Sequence, residues 1–543
     1  MFVVALLGLI AGSYPIANTS IGWHLSTGHW ILAHRDVPRT DPFSITSEDV
    51  EWIDHEWLFQ VVAAVTEDVA GDLGLGLLRA LLVSALAVLM YRFGLGSGLS
   101  PPTALLLAVL CLYGARIRFF LRPELLTLLI APSVVWLFLY RDRSRNRLWL
   151  LWIAVLMCVG ANFHGGVLIT PPLMAGILAA QWLQWLSRRG GPSPLPWGLA
   201  AIAAASTAPL LNPYGWRLYT VPLKIAHLVG LEHIPNPEWI SPSPMDVPPL
   251  YVAMVAGLAI LLSKERDAAR WALLLMASLL ALRYVRNVGL FFALYPIAIG
   301  PALAAFPLAN GRLEVSRRPI WWMTALALAC LVVASMVIAP GHTPRWGFSK
   351  SYYPDGAWEF ITDLGLESKT MYNDVRFGGD LIRRHYPDRR TFLDDRNEIH
   401  EPLLEEIDAI LKSSNPSRWQ AMLERYGVEL ALVRYNPPFT VAQPDGTVVG
   451  RRGFSALWFP DERWSLLYWD DTAMVLADRT AIDPDIMARY EYRVIRPDDI
   501  EELRRRLASD PALRTEVAAE LGRALQRRPQ SERALALARA LIE

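Results

Sequence analysis

The feature that most constrains this sequence is a series of apolar stretches too long and too numerous for the core of a soluble domain. A helix that crosses a bilayer needs about 20 mostly apolar residues, set by hydrocarbon thickness and helical rise. By that rule the chain offers about eleven candidate spans, near residues 2–18, 74–94, 101–117, 123–140, 147–163, 166–186, 196–212, 248–264, 270–285, 288–307 and 320–339. Some are short and require burial among neighbours. Over the 543 residues, hydrophobic side chains make up 53% and charged ones 19%, and the charges thin out before about Arg345 and crowd after it. The pattern predicts an α-helical polytopic membrane domain over 1–339, an α/β domain over 340–496 and a helical segment over 497–543. A formal net charge of zero gives no ground for a nucleic-acid partner. The three cysteines, Cys111, Cys158 and Cys330, all lie in apolar segments, so neither a disulfide framework nor a zinc-type cysteine motif is expected. The N-terminal MFVVALLGLIAGSYPIA lacks a basic leader and is read as an uncleaved first span.

Basic loops set the orientation. Arg141 to Arg147, Arg188–Arg189, Lys264 to Arg270 and Arg312 to Arg318 all fall on one side if the spans alternate. That side is assigned to the cytoplasm. An odd number of spans then puts the loop 20–59 and everything after 340 on the opposite, extracytoplasmic side.

The loop 20–59 is too rich in reactive side chains for a connector. It carries His24, His29, His34, His55, Asp36, Asp41, Asp54 and Glu56, interleaved with Trp23, Trp30, Trp52 and Trp57. Tryptophan favours the membrane interface, so Ile21 to His34 is expected as one interfacial helix, broken by Pro38 and Asp41-Pro42. His55 to Val69 is expected as a second, leading into the next span. The His55–Glu56 pair also permits a divalent metal site with His24 and His164; the alternative is that His55 only bonds within its own helix.

Arginines that break the orientation rule form a second constellation: Arg116, Arg118 and Arg122 in RIRFFLRPE, Arg217 in NPYGWR, and Arg283 and Arg286 in RYVRN. An arginine near the membrane needs an anionic partner. Either headgroups, Glu124 and loop carboxylates supply it, or the arginines converge on a lipid phosphate. Asn162-Phe-His-Gly-Gly166 puts His164 at a turn facing the same side. Asn212 opens a long loop to Pro249 that holds Glu232, His233, Glu238 and Trp239, expected as a cover over a site.

After Tyr352, helices are expected at 357–364, 378–385, 402–411 and 417–426, strands at 370–373, 391–394 and 428–433, and a hairpin over 464–477. Asp394, Asp395 and Glu398 end a strand, which is a favoured site position, yet DDR also suits a solvated loop with an Asp–Arg pair. FGG at 377–379 lacks the spacing of a nucleotide fingerprint. Three short amphipathic helices close the chain. One such hairpin cannot make a solenoid, so it is expected to cap the domain or dock a protein partner.

Carboxylates on an interfacial loop beside arginines suit sugar transfer from a polyprenyl-phosphate or -pyrophosphate carrier. A carboxylate accepts the proton of the attacking hydroxyl, and cations or a metal stabilise the leaving phosphate. The expected catalytic residues are Asp41, Asp54, Glu56, His55 and His24. Arg116, Arg122, Arg286, Arg217 and His164 are the expected phosphate-binding residues, and Trp23, Asn162 and Asn212 the substrate-binding ones. His24, His55 and Glu56 are the candidate metal ligands, a divalent ion being the one cofactor considered. The expected partners are a polyprenyl-linked sugar lipid and membrane lipids.

The motifs WHLSTGHWI (23–31), DPFS (41–44), HEWL (55–58), NFHGG (162–166), NPYGWRLY (212–219), RNVGLF (286–291) and YNDVRFGGDLIRRHYP (372–387) resemble a group of bacterial polytopic membrane proteins of the GT-C glycosyltransferase superfamily, over nearly the whole chain. The resemblance implies a GT-C fold, a bacterial inner-membrane location and a periplasmic C-terminal domain. It also implies an aspartate just after the first span, where this chain has Ser20. Three readings stay open: another loop acid replaces it, the protein is a non-catalytic lipid-binding scaffold of envelope assembly, or the position was altered. A transporter fits less well, with few ionisable residues mid-span and no inverted repeat.

Overall fold

The computed structural model describes all residues except 141–146, 189–191, 229–237, 312–317, 339–345, 414, 443–447 and 543. Most of the orientation-setting loops, and Glu232 and His233, therefore lie outside the described residues.

The first half is a bundle of apolar helices: α1 (Phe2–Ala11), α2 (Ile21–His34), α3 (Trp57–Gly96), α4 (Pro101–Ala115), α5 (Glu124–Tyr140), α6 (Leu148–Phe163), α7 (Thr170–Arg188), α8 (Leu195–Thr207), α9 (Val221–Leu228), α10 (Pro248–Lys264), α11 (Ala268–Arg283), α12 (Val288–Ala304) and α13 (Arg318–Ile338). Every expected apolar segment carries a helix. By length and composition, four stretches among the described residues qualify as spans: Trp57–Gly96, Gly165–Arg188, Val285–Ala304 and Pro319–Val337. Leu81, Leu151, Leu183, Val255, Leu279 and Met323 point outward and are exposed. A surface of that kind suits lipid rather than water, which places the bundle in a membrane.

The expected first span, 2–18, is helical only to Ala11. Arg79 of α3 is the reason it can stop inside a packed bundle. Its guanidinium donates to the carbonyls of Gly12 at 3.0 Å, Pro15 at 3.3 Å and Tyr14, and so satisfies the groups a helix end leaves bare. Gly8 and Gly12 let α1 lie on α3: a Cβ on either would come within 2.7 Å of a backbone atom there. Proline is handled in the same way. Pro301 in α12 cannot donate to the Ile297 carbonyl, and Arg270 of α11 donates to that oxygen instead, at 2.8 Å.

The first interfacial helix has the bounds expected for it and ends where Arg35 turns left-handed at φ 55°. The second begins at Trp57 rather than His55 and runs into the next span, with a non-helical Gly71 (φ 58°) between the two parts.

The C-terminal domain has one four-stranded sheet, ordered β1 (Met371–Asn373), β2 (Leu430–Arg434), β6 (Ala473–Asp478), β5 (Trp464–Trp469). β1 and β2 are parallel and the other pairs antiparallel. β3 (Phe439–Ala442) and β4 (Val448–Arg452) form a separate hairpin. Helices α14 (Asp355–Asp363), α15 (Val375–His385), α16 (Glu401–Ser413), α17 (Pro416–Arg425), α18 (Phe454–Trp458) and α19 (Pro484–Tyr490) surround the sheet. The closing helices α20 (Ile500–Ser509), α21 (Leu513–Arg527) and α22 (Glu532–Ile542) turn Leu503, Leu507, Val517, Leu521 and Leu537 into its core. They cap the domain.

One expected strand is absent. Residues 391–394 do not join the sheet; Thr391 bridges Ser44 of the first loop instead. The segment is thereby pulled toward the helical bundle, and Arg396 fixes it there. Arg396 is fully buried, bonds Asp394 with Nε at 2.8 Å and Nη2 at 2.6 Å, and bonds Asp41 of the first loop with Nη1 at 2.7 Å. The rings of Trp52, Phe43 and Trp23 surround it at 4.8, 5.2 and 5.8 Å. Burial pushes the Asp394 carboxyl up, but Arg396 and His400 outweigh it and hold it far below the ordinary carboxylate range. The expectation of a solvated Asp–Arg pair is thus corrected: the pair exists, but it is buried between the two halves of the molecule.

The FGG run makes the second clamp. A Cβ on Gly22 of α2 would lie 2.0 Å from the Gly379 carbonyl oxygen, and one on Gly379 would lie 2.2 Å from that of Thr19. Only paired glycines let α2 and α15 approach so closely.

Three outcomes follow for stability in detergent. Arg396→Ala leaves two buried carboxylates without their partner and should cost roughly 3–5 kcal/mol, read as a large drop in Tm. Asp394 is ionised in the folded state well below its unfolded value, so its contribution is present above about pH 4 and is lost as the pH falls further. The wild-type Tm should therefore decline below that pH. Gly22→Ala should lower Tm at least as far as a typical overpacking change, about 1–3 kcal/mol, because the obstacle is backbone.

Candidate active site at the junction of the helical and C-terminal domains

The clamps bring the N-terminal end of α2, the start of α3, the turn after α6, the arginine segments before α5 and α12, and the loop 394–400 to one place. At its centre is Glu56. Its Oε1 lies 3.5 Å from His164 Nε2 and 3.8 Å from His55 Nε2, and its Oε2 lies 3.8 Å from His24 Nε2. Burial pushes the Glu56 carboxyl up to about 8, and Glu398 of the C-terminal loop adds to the rise; Arg286 and Arg122 act against it. Burial likewise lowers His24 and His164, aided by Arg122 and Arg286 respectively, so both imidazoles are neutral. A carboxyl that titrates near neutrality beside neutral imidazoles is suited to moving a proton.

The second acid comes from the far end of the chain. Asp395 Oδ2 accepts from Ser20 Oγ at 2.5 Å and Thr19 Oγ1 at 2.6 Å, and its Oδ1 accepts from Trp23 Nε1 at 2.8 Å. Arg122 Nη2 lies 3.6 Å away. Ser20 is the N-cap of α2, but its hydroxyl caps no backbone amide; it is spent on Asp395. The carboxylate therefore sits at the positive end of a helix, where the helix dipole favours it.

Arginines line the other wall. Arg118 is buried and chelated by Glu124, with Nε to Oε1 at 3.1 Å. Arg122 donates to Asn18 Oδ1 at 2.9 Å and Thr19 Oγ1 at 3.0 Å. Arg286 Nη2 meets His164 Nε2 at 3.3 Å and its guanidinium lies over Trp239 at 5.0 Å. All three also reach Glu238: Arg118 at 3.3 Å, Arg286 at 3.9 Å, and Arg122 in direct contact. Burial pushes Glu238 up, but Arg122, Arg118 and Arg286 outweigh it and hold it well below the usual range.

Of the expected site residues, His24, His55, Glu56, His164, Arg122 and Arg286 meet here, with Trp23 touching Asp395. Asp54 lies beside them, buried and bonded to Gln60 Nε2 at 2.6 Å; burial, then Glu56, pushes it up to about 7. The others are committed elsewhere. Asp41 accepts from Phe43 N at 3.0 Å, from Ser44 and from Arg396, so its oxygens hold the interdomain clamp. Arg116 turns back onto Tyr113, donating to its carbonyl at 2.8 Å. Arg217 pairs with Glu51 at the surface. Asn162 accepts from Trp57 Nε1 at 3.0 Å and donates to the Cys158 carbonyl at 2.8 Å, while Asn212 bonds within its own turn. Asp395, Glu398, Arg118 and Glu238 were not among the expected site residues, although each lies in a stretch the sequence marks.

His55, Glu56 and His164 present ligand atoms within 4.8 Å of one another. Thr127 holds His164 through Nδ1 at 2.7 Å, and the Ile53 carbonyl holds His55 through Nδ1 at 3.3 Å. Both rings thus turn Nε2 toward Glu56, as the outer partners of metal-bound histidines do. The third candidate ligand, His24, faces the other carboxylate oxygen.

No family model matches the chain, and no curated protein matches it. Solved structures do. The Archaeoglobus fulgidus oligosaccharyltransferase tethered with an acceptor peptide containing the NVT sequon is similar with a TM-score of 0.54 at 12% identity, over 86% of this chain and 79% of that one. The same organism's archaeal oligosaccharyltransferase AglB, in complex with an inhibitory peptide and a dolichol-phosphate, gives 0.54 at 11% identity over 86% and 79%. ArnT from Cupriavidus metallidurans bound to undecaprenyl phosphate gives 0.48 at 13% identity over 89% and 98%. At such identities the likeness to the oligosaccharyltransferase speaks for the fold alone: the chain shares that protein's architecture over most of its length.

Proposed function

We propose that this protein is a membrane glycosyltransferase that takes its sugar from a polyprenyl-phosphate or polyprenyl-pyrophosphate carrier. The observation that carries the reading is the meeting of Glu56 and Asp395 with Arg122 and Arg286 at one end of an apolar bundle. The AglB structure with dolichol-phosphate supports a lipid phosphate as the carrier's reactive group. We place the protein in a bacterial inner membrane, N-terminus cytoplasmic and C-terminal domain periplasmic, with about eleven spans.

In this reading the lipid phosphate lies against Arg286 and Arg122, whose planar forks match phosphate oxygens. The acceptor hydroxyl attacks the anomeric carbon, the bond from that carbon to the phosphate oxygen breaks, and the leaving phosphate keeps the electron pair beside the arginines. Ionised Glu56 takes the hydroxyl proton, and the neutral imidazoles of His24 and His164 offer it an onward path. Asp395 fixes Arg122 and occupies the place, beside Ser20, where the resemblance expects an acid; it is not itself short of hydrogen bonds, so Glu56 is the proton acceptor.

A divalent ion is a second reading of the same three residues, favoured by the ligand spacing of His55, Glu56 and His164. Two imidazoles and a carboxylate fit an ion of the zinc class. Such an ion would supply positive charge for the leaving phosphate. Arg286 Nη2 lies 3.3 Å from His164 Nε2 and would have to give up that contact.

Purified protein with a panel of polyprenyl-linked sugars should release free polyprenyl phosphate. Glu56→Gln should reduce turnover by about 10²–10⁴-fold, the usual worth of a general base. Asp395→Asn should cost a comparable factor, whereas Asp41→Asn should lower Tm more than it lowers turnover by the folded fraction. Retained turnover in both Glu56→Gln and Asp395→Asn removes this site from the reaction. Tight retention of lipid phosphate with no turnover on any donor would favour a non-catalytic scaffold. For the metal, Zn²⁺ should raise the Tm of the wild type but not of His55→Ala or His164→Ala; equal shifts in all three would exclude that site.

A further inference from the structure

The proposed anion site is already filled by a side chain of the protein itself. Arg118 and Arg122 come from the segment before α5 and Arg286 from the one before α12, yet all three converge on the one carboxylate of Glu238. Guanidinium forks accept carboxylate and phosphate in the same geometry, so whatever satisfies the arginines here competes with a phosphate for them. We propose that Glu238 is an internal occupant of the phosphate site: it holds the three arginines together when no lipid is bound, and a lipid phosphate binds by displacing it. The proposal rests on the glycosyltransferase reading for the identity of the ligand.

Charge favours a one-for-one exchange. Glu124 pairs with Arg118, and Asp395 lies 3.6 Å from Arg122. With Glu238, three carboxylates face three guanidiniums; without it one positive charge is left over. A sugar-linked phosphodiester carries one negative charge and replaces the carboxylate without a net change; the monoester of a free polyprenyl phosphate carries at least that one charge and serves the same arginines. A desolvated arginine left unpaired is expensive, so the cage would not persist in this form if it were simply empty.

The geometry also says what moves. The main chain at Glu238 is pinned: Arg286 N donates to the Glu238 carbonyl at 3.0 Å, and Val285 N donates to that of Ile240 at 2.9 Å. A wholesale shift of this strand of chain would break both bonds and pull Trp239 from beneath Arg286. Rotation of the Glu238 side chain breaks neither. The side chain is 18% exposed, so it is not sealed inside the cage.

The test is binding of undecaprenyl phosphate to the full-length protein in nanodiscs, with no sugar and no turnover needed. Glu238→Gln keeps the shape and removes the competing charge, so it should bind the probe about tenfold tighter than wild type, or more. Glu238→Asp keeps the charge but withdraws it by one methylene, and should bind tighter by a smaller factor. The second variant also covers the case in which the first fails to fold. Arg122→Ala and Arg286→Ala should each weaken binding. Equal or weaker binding by Glu238→Gln and Glu238→Asp, with the arginine variants still losing the probe, overturns the displacement while leaving the arginine–phosphate site intact. No binding by wild type and Glu238 variants alike overturns both.

Discussion

The buried contact of Arg396 with Asp394 and Asp41 is the interaction on which the rest of the site depends. One guanidinium ties the first loop of the helical bundle to a loop of the C-terminal domain, and three aromatic rings exclude water from it. An ion pair of this kind is a poor source of net stability, because both partners lose hydration. What it gives is registration. Asp395 is the residue between Asp394 and Arg396, so fixing its neighbours delivers its carboxylate to Thr19, Ser20 and Trp23. The Gly22–Gly379 approach sets the distance between the same two bodies from another direction.

The electrostatics of the site follow from that registration. Glu56 is pushed toward neutrality by burial and by Glu398, a residue the C-terminal domain supplies. Arg122 is shared between Asp395 and Glu238, one from each side of the junction. Neither domain has the complete arrangement. The helical part contributes the imidazoles, the arginines and Glu56, while the C-terminal part contributes two carboxylates and the clamp.

Much of this was legible in the sequence, and the reasons for what was not are physical. The apolar stretches announced the helical bundle because lipid imposes length and composition on each span separately. Ile21 to His34 was legible to the residue because an unbroken helical run there is closed on its C-terminal side, where Arg35 turns left-handed ahead of Pro38 and Asp41-Pro42. Glu56 stood out as an acid paired with histidines on an interfacial loop. Asp395 was marked only as one of three acids at a strand end, since Ser20, its partner, is 375 residues away in the chain and DDR looks the same whether solvated or buried. The strand expected at 391–394 failed for a related reason: TFLD has strand-like composition, but its backbone partner is Ser44 in the other domain rather than a neighbouring strand. Asp41 looked as good an acid as Glu56 from sequence. Only the identity of its partner, Arg396, reveals a fastener instead of a reactant. The β3–β4 hairpin escaped because FTVA and VVGRR are short and interrupted by polar residues.

The separation of Ser20 from Asp395 along the chain has a consequence for biogenesis. During synthesis the bundle's portion of the site is made first, and it lacks its second carboxylate until residues beyond 400 have emerged and folded. A nascent or truncated polypeptide can therefore carry the imidazoles and arginines without assembling the finished junction. The junction is finished when Arg396 closes onto Asp41, made early, and Asp394, made late.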